Sequence, residues 1–217
     1  AGDILNIAMN TQVVTLEKNM NKTIMSSFHA LFSLGLMLGA FCGGIILNYK
    51  VSSFNHLLVI GGLNFLSIPF FLSNLLPDHF KKGNESLEGK KNSFFDLGPH
   101  LFTLSFIAFC GMLCEGAMAD WITLYFKEST FITTFPTTIG FTSFALSMVI
   151  GRSLGDYIAK LFSIKNILTL NGILISLGLL ITLMTTNEYI MIIGCLIAGI
   201  GISTIIPIIY SEAGRSK

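Results

Sequence analysis

The chain has few charged residues, and this excludes an ordinary soluble globular protein. Asp, Glu, Lys and Arg make up only 12% of its 217 residues, whereas 52% are hydrophobic; soluble proteins carry about 25% charged residues. The charges lie in clusters between uncharged runs of about 20 residues, the length of helix that crosses roughly 30 Å of hydrocarbon. The sequence therefore predicts an all-α, polytopic transmembrane helix bundle with the lipid bilayer around it.

The sequence also lacks the motifs of enzymes and of metal or nucleotide sites. It contains neither a Walker sequence nor a His-Glu-x-x-His pattern. The net charge is +1, and Lys and Arg are scattered among separate loops, so there is no continuous basic face for a nucleic acid. We expect no enzymatic activity, cofactor, metal or nucleic-acid partner. Four cysteines occupy apolar runs without metal-ligand spacing, as small residues for helix packing: Cys42, Cys110, Cys114 and Cys195.

Seven apolar segments follow one another along the chain. We predict a short first segment at 1–16, too short to span, and six spans at 27–47, 54–76, 98–122, 132–150, 166–185 and 189–210. The chain starts at Ala1 and stops at Lys217, directly after an apolar run. We therefore expect an internal piece of a longer membrane protein, with the missing helices as its partners.

Basic residues are distributed unequally between alternate loops, and in membrane proteins they stay on the cytoplasmic side. Eleven lie in one set of loops and two in the other, which predicts the orientation of every span. The first set is Lys18, Lys22, Lys81, Lys82, Lys90, Lys91, Arg152, Lys160, Lys165, Arg215 and Lys217, and the second is Lys50 and Lys127.

The longest connection is rich in charge and glycine, as expected for a solvated linker between two helical bundles. We expect residues 1–76 to be the end of an N-terminal bundle and residues 77–95 to be a cytoplasmic central loop. Residues 96–217 would then form most of a C-terminal bundle.

Polar residues on the first segment form a stripe that lipid would penalise. Asp3, Asn6 and Asn10, followed by Glu17, lie within about 60° of one another at 100° per residue. Such a stripe faces a cavity or another helix. Alternatively, Asp3 lies at a membrane edge, and that position certainly suits Glu17 beside Lys18.

The fourth segment carries an acid, Glu115, near its middle. An acid at this depth either pairs with a partner or takes up and releases a proton during transport; the alternative is a purely structural hydrogen bond. Asp120 is five residues further on, about 140° around the helix, so we expect it to serve a different site. Trp121 beside it is either an interfacial anchor or a surface on which a substrate stacks.

The second segment combines a polar face with small residues. Ser26, His29 and Ser33 share one face, and His29 is either a satisfied interfacial histidine or part of a proton relay. Glycines at four-residue spacing follow, and they predict close contact with another helix: Gly35, Gly39, Gly43 and Gly44.

These residues resemble the major facilitator superfamily of secondary transporters. The family has a loop signature, G-R-x-x-G-D, and the segment 151–156 is similar to it through Gly151, Arg152, Gly155 and Asp156. The resemblance implies that this segment acts as a gating latch on the cytoplasmic side. The glycines from Gly35 to Gly44 resemble the family's fifth-helix antiporter motif, with Ala40 where that motif has proline. Three sequence segments are similar to the bacterial inner-membrane YbjJ branch of the family and, more distantly, to fucose-type permeases: 3–12, 25–33 and 115–121.

The resemblance implies a partial fold, comprising about the fourth through tenth helices of twelve. The first, fourth and seventh segments would then line a central cavity, with Asp3, Asn6, Asn10 and Glu115 on cavity helices. It implies alternating-access transport of a sugar-like or other polar solute, coupled to protons through Glu115 or Asp3. Two alternatives are a drug efflux antiporter, which Ala40 disfavours, and a non-transporting truncated remnant or membrane scaffold.

Overall fold

A computed structural model describes residues 2–49, 51–73, 99–129 and 135–215. These residues form helices and contain no strand, so the predicted all-α membrane bundle is confirmed. The predicted central loop at 77–95 lies outside the described residues. The helices are α1 (Gly2–Met20), α2 (Met25–Asn48), α3 (Ser53–Leu72), α4 (Pro99–Ser129), α5 (Ile139–Leu161), α6 (Ile164–Leu183), α7 (Glu188–Ser203) and α8 (Ile205–Arg215).

Five stretches among the described residues are long and apolar enough to cross a membrane: Met25–Ile46, Phe54–Phe71, Pro99–Ser129, Ile164–Leu183 and Glu188–Ala213. Each falls on a predicted span. The last stretch crosses both α7 and α8, because the helix is interrupted at Thr204 and then continues. The two remaining helices, α1 and α5, carry the polar residues described below.

The first and fifth segments were predicted with the wrong bounds. The first helix continues past residue 16 to Met20, and the chain then turns through Asn21, whose φ is 50°. The fifth segment was placed at 132–150, whereas α5 begins at Ile139 after a turn in which the Ile139 N–H donates to the Pro136 carbonyl (2.9 Å). The helix then continues to Leu161.

The glycine–arginine motif therefore lies inside α5 and not in a loop after it. Polar residues in the run from Gly151 to Asp156 suggested the end of a span, since their cost in lipid is high. The helix keeps them because their side chains find partners on neighbouring helices. Arg152, counted above among the cytoplasmic basic residues, is only 1% exposed. Without it the predicted count is ten basic residues against two, and the predicted orientation is the same.

The core lies where α5 is packed between α2 on one side and α7 on the other, with α6 against the far side of α7. Phe144, Met148, Met191, Cys195 and Ile202 are completely buried there. The contact between α2 and α5 joins the two predicted bundles, since α2 precedes and α5 follows the predicted central loop.

Contacts near the helix ends give the relative directions of α1, α2, α4, α5 and α6. Glu17 and Asp156 both contact the start of α2, so α1 and α5 end where α2 begins. At the opposite end, the Tyr125 hydroxyl near the end of α4 donates to the carbonyl of Leu183, the last residue of α6. The end that holds Glu17 and Asp156 is the predicted cytoplasmic end.

Close helix packing is found at only one of the four glycines predicted for it on α2. A Cβ at Gly44 would collide with the Thr138 side chain, whereas Gly35, Gly39 and Gly43 have no described atom within 4 Å of that position. The helix α3 also has no buried residue within its apolar window. These surfaces lie outside the buried core of the described residues.

The contact between α6 and α7 depends on small residues whose neighbours are backbone atoms. A Cβ at Gly178 would lie 2.6 Å from the Gly194 carbonyl oxygen and 2.8 Å from the Ala198 Cα. Backbone atoms in two packed helices cannot move aside cheaply, so the glycine sets the distance between them.

We expect Gly178→Ala to destabilise the protein by about 1–3 kcal/mol, the usual cost of an overpacked interior. Gly172→Ala on the same helix is the matched control, because a Cβ there meets no atom within 4 Å; it should be neutral or slightly stabilising. Thermal unfolding of both variants in detergent micelles measures the difference. Equal midpoints for the two variants would contradict the packing account.

Candidate functional site

Arg152, on α5, is the most deeply buried charged side chain among the described residues, with 1% of its surface exposed. Its Nη2 donates to both carboxylate oxygens of Glu115 on α4, at 3.2 and 3.1 Å. Its Nε donates to the Ser203 carbonyl at the end of α7 (3.1 Å), and its Nη1 donates to the Ser33 hydroxyl on α2. One guanidinium therefore joins four helices.

Glu115 and Arg152 form an ion pair, with 3.1 Å between Nη2 and Oε2. The Glu115 side chain keeps 21% of its surface exposed, whereas that of Arg152 keeps 2%. One nitrogen, Nη2, contacts both carboxylate oxygens, and this charge-assisted contact compensates the charge of Arg152 in an apolar setting. The mid-membrane acid and the arginine of the motif, predicted as separate features, thus belong to one site.

Asp156, one helical turn after Arg152, binds the first turn of α2. Its carboxylate accepts hydrogen bonds from the backbone N–H groups of Ser26 (3.1 Å) and Ser27 (3.0 Å) and from the Ser27 hydroxyl (2.6 Å). The Ser26 hydroxyl donates in return to the Arg152 carbonyl (2.7 Å). A carboxylate at a helix N-terminus is favourable because the first N–H groups have no partner within the helix.

A second acid binds the same helix start from the other side. Glu17, near the end of α1, accepts from the N–H groups of Ile24 (2.8 Å) and Met25 (2.9 Å). Its other oxygen accepts from the Ser211 hydroxyl on α8 (3.0 Å). Glu17 is 9% exposed and is thus a buried capping residue. The sequence predicted that Glu17 lies at a membrane edge, near the end of the first helix. It did not indicate that the carboxylate binds α2 and α8.

The two glycines of the motif provide the room for this approach. A Cβ at Gly151 would lie 2.7 Å from the Ser203 Cβ, and one at Gly155 would lie 2.9 Å from Thr204 Cγ2 and 3.0 Å from the Ser26 Cβ. Larger residues would push α5 away from α2 and from the break between α7 and α8.

The remaining predicted site residues lie on α1 and α4, and two of them have side chains outside those described. Asn10 is buried on α1 (1% exposed), whereas the side chains of Asp3 and Asn6 are not among those described. Asp120 and Trp121 are exposed on α4, and Trp121 has 65% of its surface free. The structure does not bring Asp120 or Trp121 to Arg152.

Ser203 and Tyr210 are members of the site that the sequence did not indicate. The His29 ring stacks on Tyr210 of α8, with 6.4 Å between ring centroids. His29 is buried, and its carbonyl accepts from the Ser33 hydroxyl (3.1 Å), which links it to the arginine cluster. The polar face of Ser26, His29 and Ser33 was visible in the sequence, but its partners were not.

Comparison with known proteins decides the family. The sequence profile described as the Major Facilitator Superfamily matches residues 4–216. The chain belongs to this superfamily. Its members are multi-pass membrane transporters, in agreement with the apolar helices. No solved structure matches the chain.

Curated relatives are about twice as long as this chain. An uncharacterized MFS-type transporter from Yersinia pestis is 28% identical over 218 residues, covering 98% of the chain and 54% of the relative. An uncharacterized transporter from Sinorhizobium fredii is 25% identical, covering 96% and 54%. The membrane protein MosC of Rhizobium meliloti is 26% identical, covering 98% and 51%. The chain therefore spans about half the length of these relatives.

We expect Arg152→Met to cost about 3 kcal/mol of stability, the lower end of the range for breaking a buried pair, because Glu115 keeps some solvent contact. Lys160→Met is the matched control, since it removes an exposed cation from the same helix; it should change stability by less than about 0.5 kcal/mol. Unfolding in micelles measures both. If Arg152→Met unfolds like the control, the buried ion pair contributes nothing.

Proposed function

We propose that the full-length protein is a secondary active transporter that moves a small solute by alternating access and is coupled to protons through Glu115. The observation that carries the proposal is the ion pair between Glu115 and the buried Arg152. An acid near the middle of a membrane helix is costly and is usually retained for a functional reason.

The pair offers a physical link between protonation and conformation. Neutral Glu115 attracts the guanidinium far less strongly than the carboxylate does, because the Coulomb attraction of the pair is lost. Arg152 also contacts Ser33 of α2, across the predicted boundary between the two bundles. Glu115 and Arg152 both belong to the second predicted bundle, so protonation of Glu115 would weaken a contact within that bundle and would act on the contact with α2 only through Arg152, the step that alternating access would use.

The start of α2 forms the proposed cytoplasmic latch of the transporter. Asp156 bonds from the second predicted bundle to Ser26 and Ser27 in the first. These bonds must break if the bundles separate at this end. Glu17 stays with α2 on the same predicted bundle and would keep the N–H groups of Ile24 and Met25 satisfied in either state.

For the solute, we propose a sugar-like or other polar metabolite. The support is the likeness to the YbjJ and fucose-permease branch and the polar stripe of Asp3, Asn6 and Asn10 on a helix that this alignment assigns to the cavity. The same alignment makes these helices the fourth through tenth of twelve. Bacterial relatives favour the cytoplasmic membrane as the location.

Two other functions have specific observations in their favour. The glycine run from Gly35 to Gly44 resembles an antiporter motif and would suit drug efflux, although Ala40 replaces its proline. The exposed apolar faces of α2 and α3 would suit a scaffold that holds other membrane proteins.

The test is transport by the full-length protein in proteoliposomes, with a panel of sugars and polar metabolites. In Glu115→Gln we expect solute counterflow to persist, while uphill accumulation driven by a proton gradient falls at least tenfold, because the exchangeable proton is gone. Asp120→Asn on the same helix is the matched control and should accumulate solute as the wild type does.

Undiminished proton-driven accumulation in Glu115→Gln would exclude Glu115 as the coupling residue. Absence of counterflow in the wild type with every solute in the panel would favour the scaffold function.

A further inference from the structure

The last apolar stretch contains a proline that leaves one backbone carbonyl without a helical partner. In a continuous helix the N–H of residue 207 would donate to the carbonyl of Ser203. Pro207 has no N–H, and its ring crowds that carbonyl. The helix is interrupted between Ser203 and Ile205, and regular bonding resumes when the Ile208 N–H donates to the Thr204 carbonyl at 3.1 Å.

The missing donor is supplied by Arg152. Its Nε donates to the Ser203 carbonyl at 3.1 Å, and Ser203 is only 1% exposed. A buried carbonyl without a partner costs free energy comparable to a lost hydrogen bond, so this contact stabilises the helix break. Gly151 makes it possible, because any Cβ there would collide with Ser203.

A second contact fastens the break from the opposite side and involves no charge. The Asn171 side chain on α6 donates from Nδ2 to the Thr204 hydroxyl at 2.8 Å. This bond fixes Thr204 to α6 whatever the state of Glu115. The two contacts hold the break from different helices, the Ser203 carbonyl from α5 and the Thr204 hydroxyl from α6.

We propose that Arg152 is a positioning residue that couples Glu115 to the bend between α7 and α8. The same planar guanidinium donates from Nη2 to Glu115 and from Nε to the Ser203 carbonyl. Loss of the carboxylate charge weakens the hold of Glu115 on Nη2, and the rigid guanidinium then turns so that Nε moves away from the Ser203 carbonyl. The carbonyl loses its donor, and α8 adopts a different angle to α7. The inference rests on the proposed transport function.

The test is the distance between spin labels at Ile193 on α7 and Ala213 on α8, measured by pulsed electron paramagnetic resonance on the full-length protein in lipid nanodiscs. A 20° change of bend moves Ala213, about nine residues beyond the break, by roughly 4–5 Å. We expect Glu115→Gln to shift or split the wild-type distance by this amount.

Two further variants separate the bond from the charge. Arg152→Lys keeps the positive charge beside Glu115. A single ammonium group cannot replace both Nη2 and Nε of the guanidinium, so we expect the same shift in distance. Pro207→Ala restores an N–H for the Ser203 carbonyl, and its distance should no longer respond to Glu115→Gln. Pro69→Ala is the matched proline control, because Pro69 lies within α3 on an exposed face. In this background, Glu115→Gln should shift the distance as it does in the wild type.

The proposed coupling between Glu115 and the bend is rejected if Glu115→Gln leaves the wild-type distance unchanged. It is also rejected if Glu115→Gln shifts the distance in the Pro207→Ala background as it does in the wild type. Transport assays distinguish this failure from that of the proposed function. If Glu115→Gln leaves the distance unchanged but abolishes proton coupling, only the proposed link to the helix break is rejected. If it shifts the distance but leaves proton coupling intact, the link is supported and the proton role of Glu115 is rejected.

Discussion

The rest of this structure depends on one constraint: the buried positive charge of the Arg152 guanidinium must be compensated by nearby acceptors. An isolated charge in an apolar interior costs many kcal/mol, so every edge of the group must find an acceptor. The acceptors come from α2, α4 and the end of α7, and the last of them exists only because Pro207 frees the Ser203 carbonyl. Gly151 and Gly155, which directly precede Arg152 and Asp156, allow these helices to approach closely. The packing of the core and the chemistry of the site thus have a common origin.

Much of the fold was predictable, because lipid imposes simple rules on sequence. Long apolar runs predicted the five stretches that form helices long and apolar enough to cross a membrane. The orientation of these spans, which loop charges indicate, stays a prediction. The same rules misplaced α5: polar residues from Gly151 to Asp156 indicate a loop when only cost in lipid is considered. Their partners are distant in sequence, so no local pattern could show that the helix continues.

The site was predictable in its parts and not in its assembly. A partner was one of the alternatives predicted for Glu115, and Arg152 was predicted as part of a gating latch. The two residues are 37 positions apart, and the packing of α4 against α5 brings them together. Ser203 offers a backbone carbonyl, which carries no side-chain signal; the signal that could have found it is the proline four residues later. The cavity stripe on α1 stays a prediction for Asp3 and Asn6.

The central claim is that Glu115 and Arg152 act as one energetically coupled pair, and a double-mutant cycle measures this directly. The free energy of unfolding of the full-length protein is compared for wild type, Glu115→Gln, Arg152→Met and the double variant. For groups in direct contact the account predicts an interaction energy of about 1–3 kcal/mol, with the double variant less destabilised than the sum of the single ones. Additive effects, within about 0.5 kcal/mol, would contradict it.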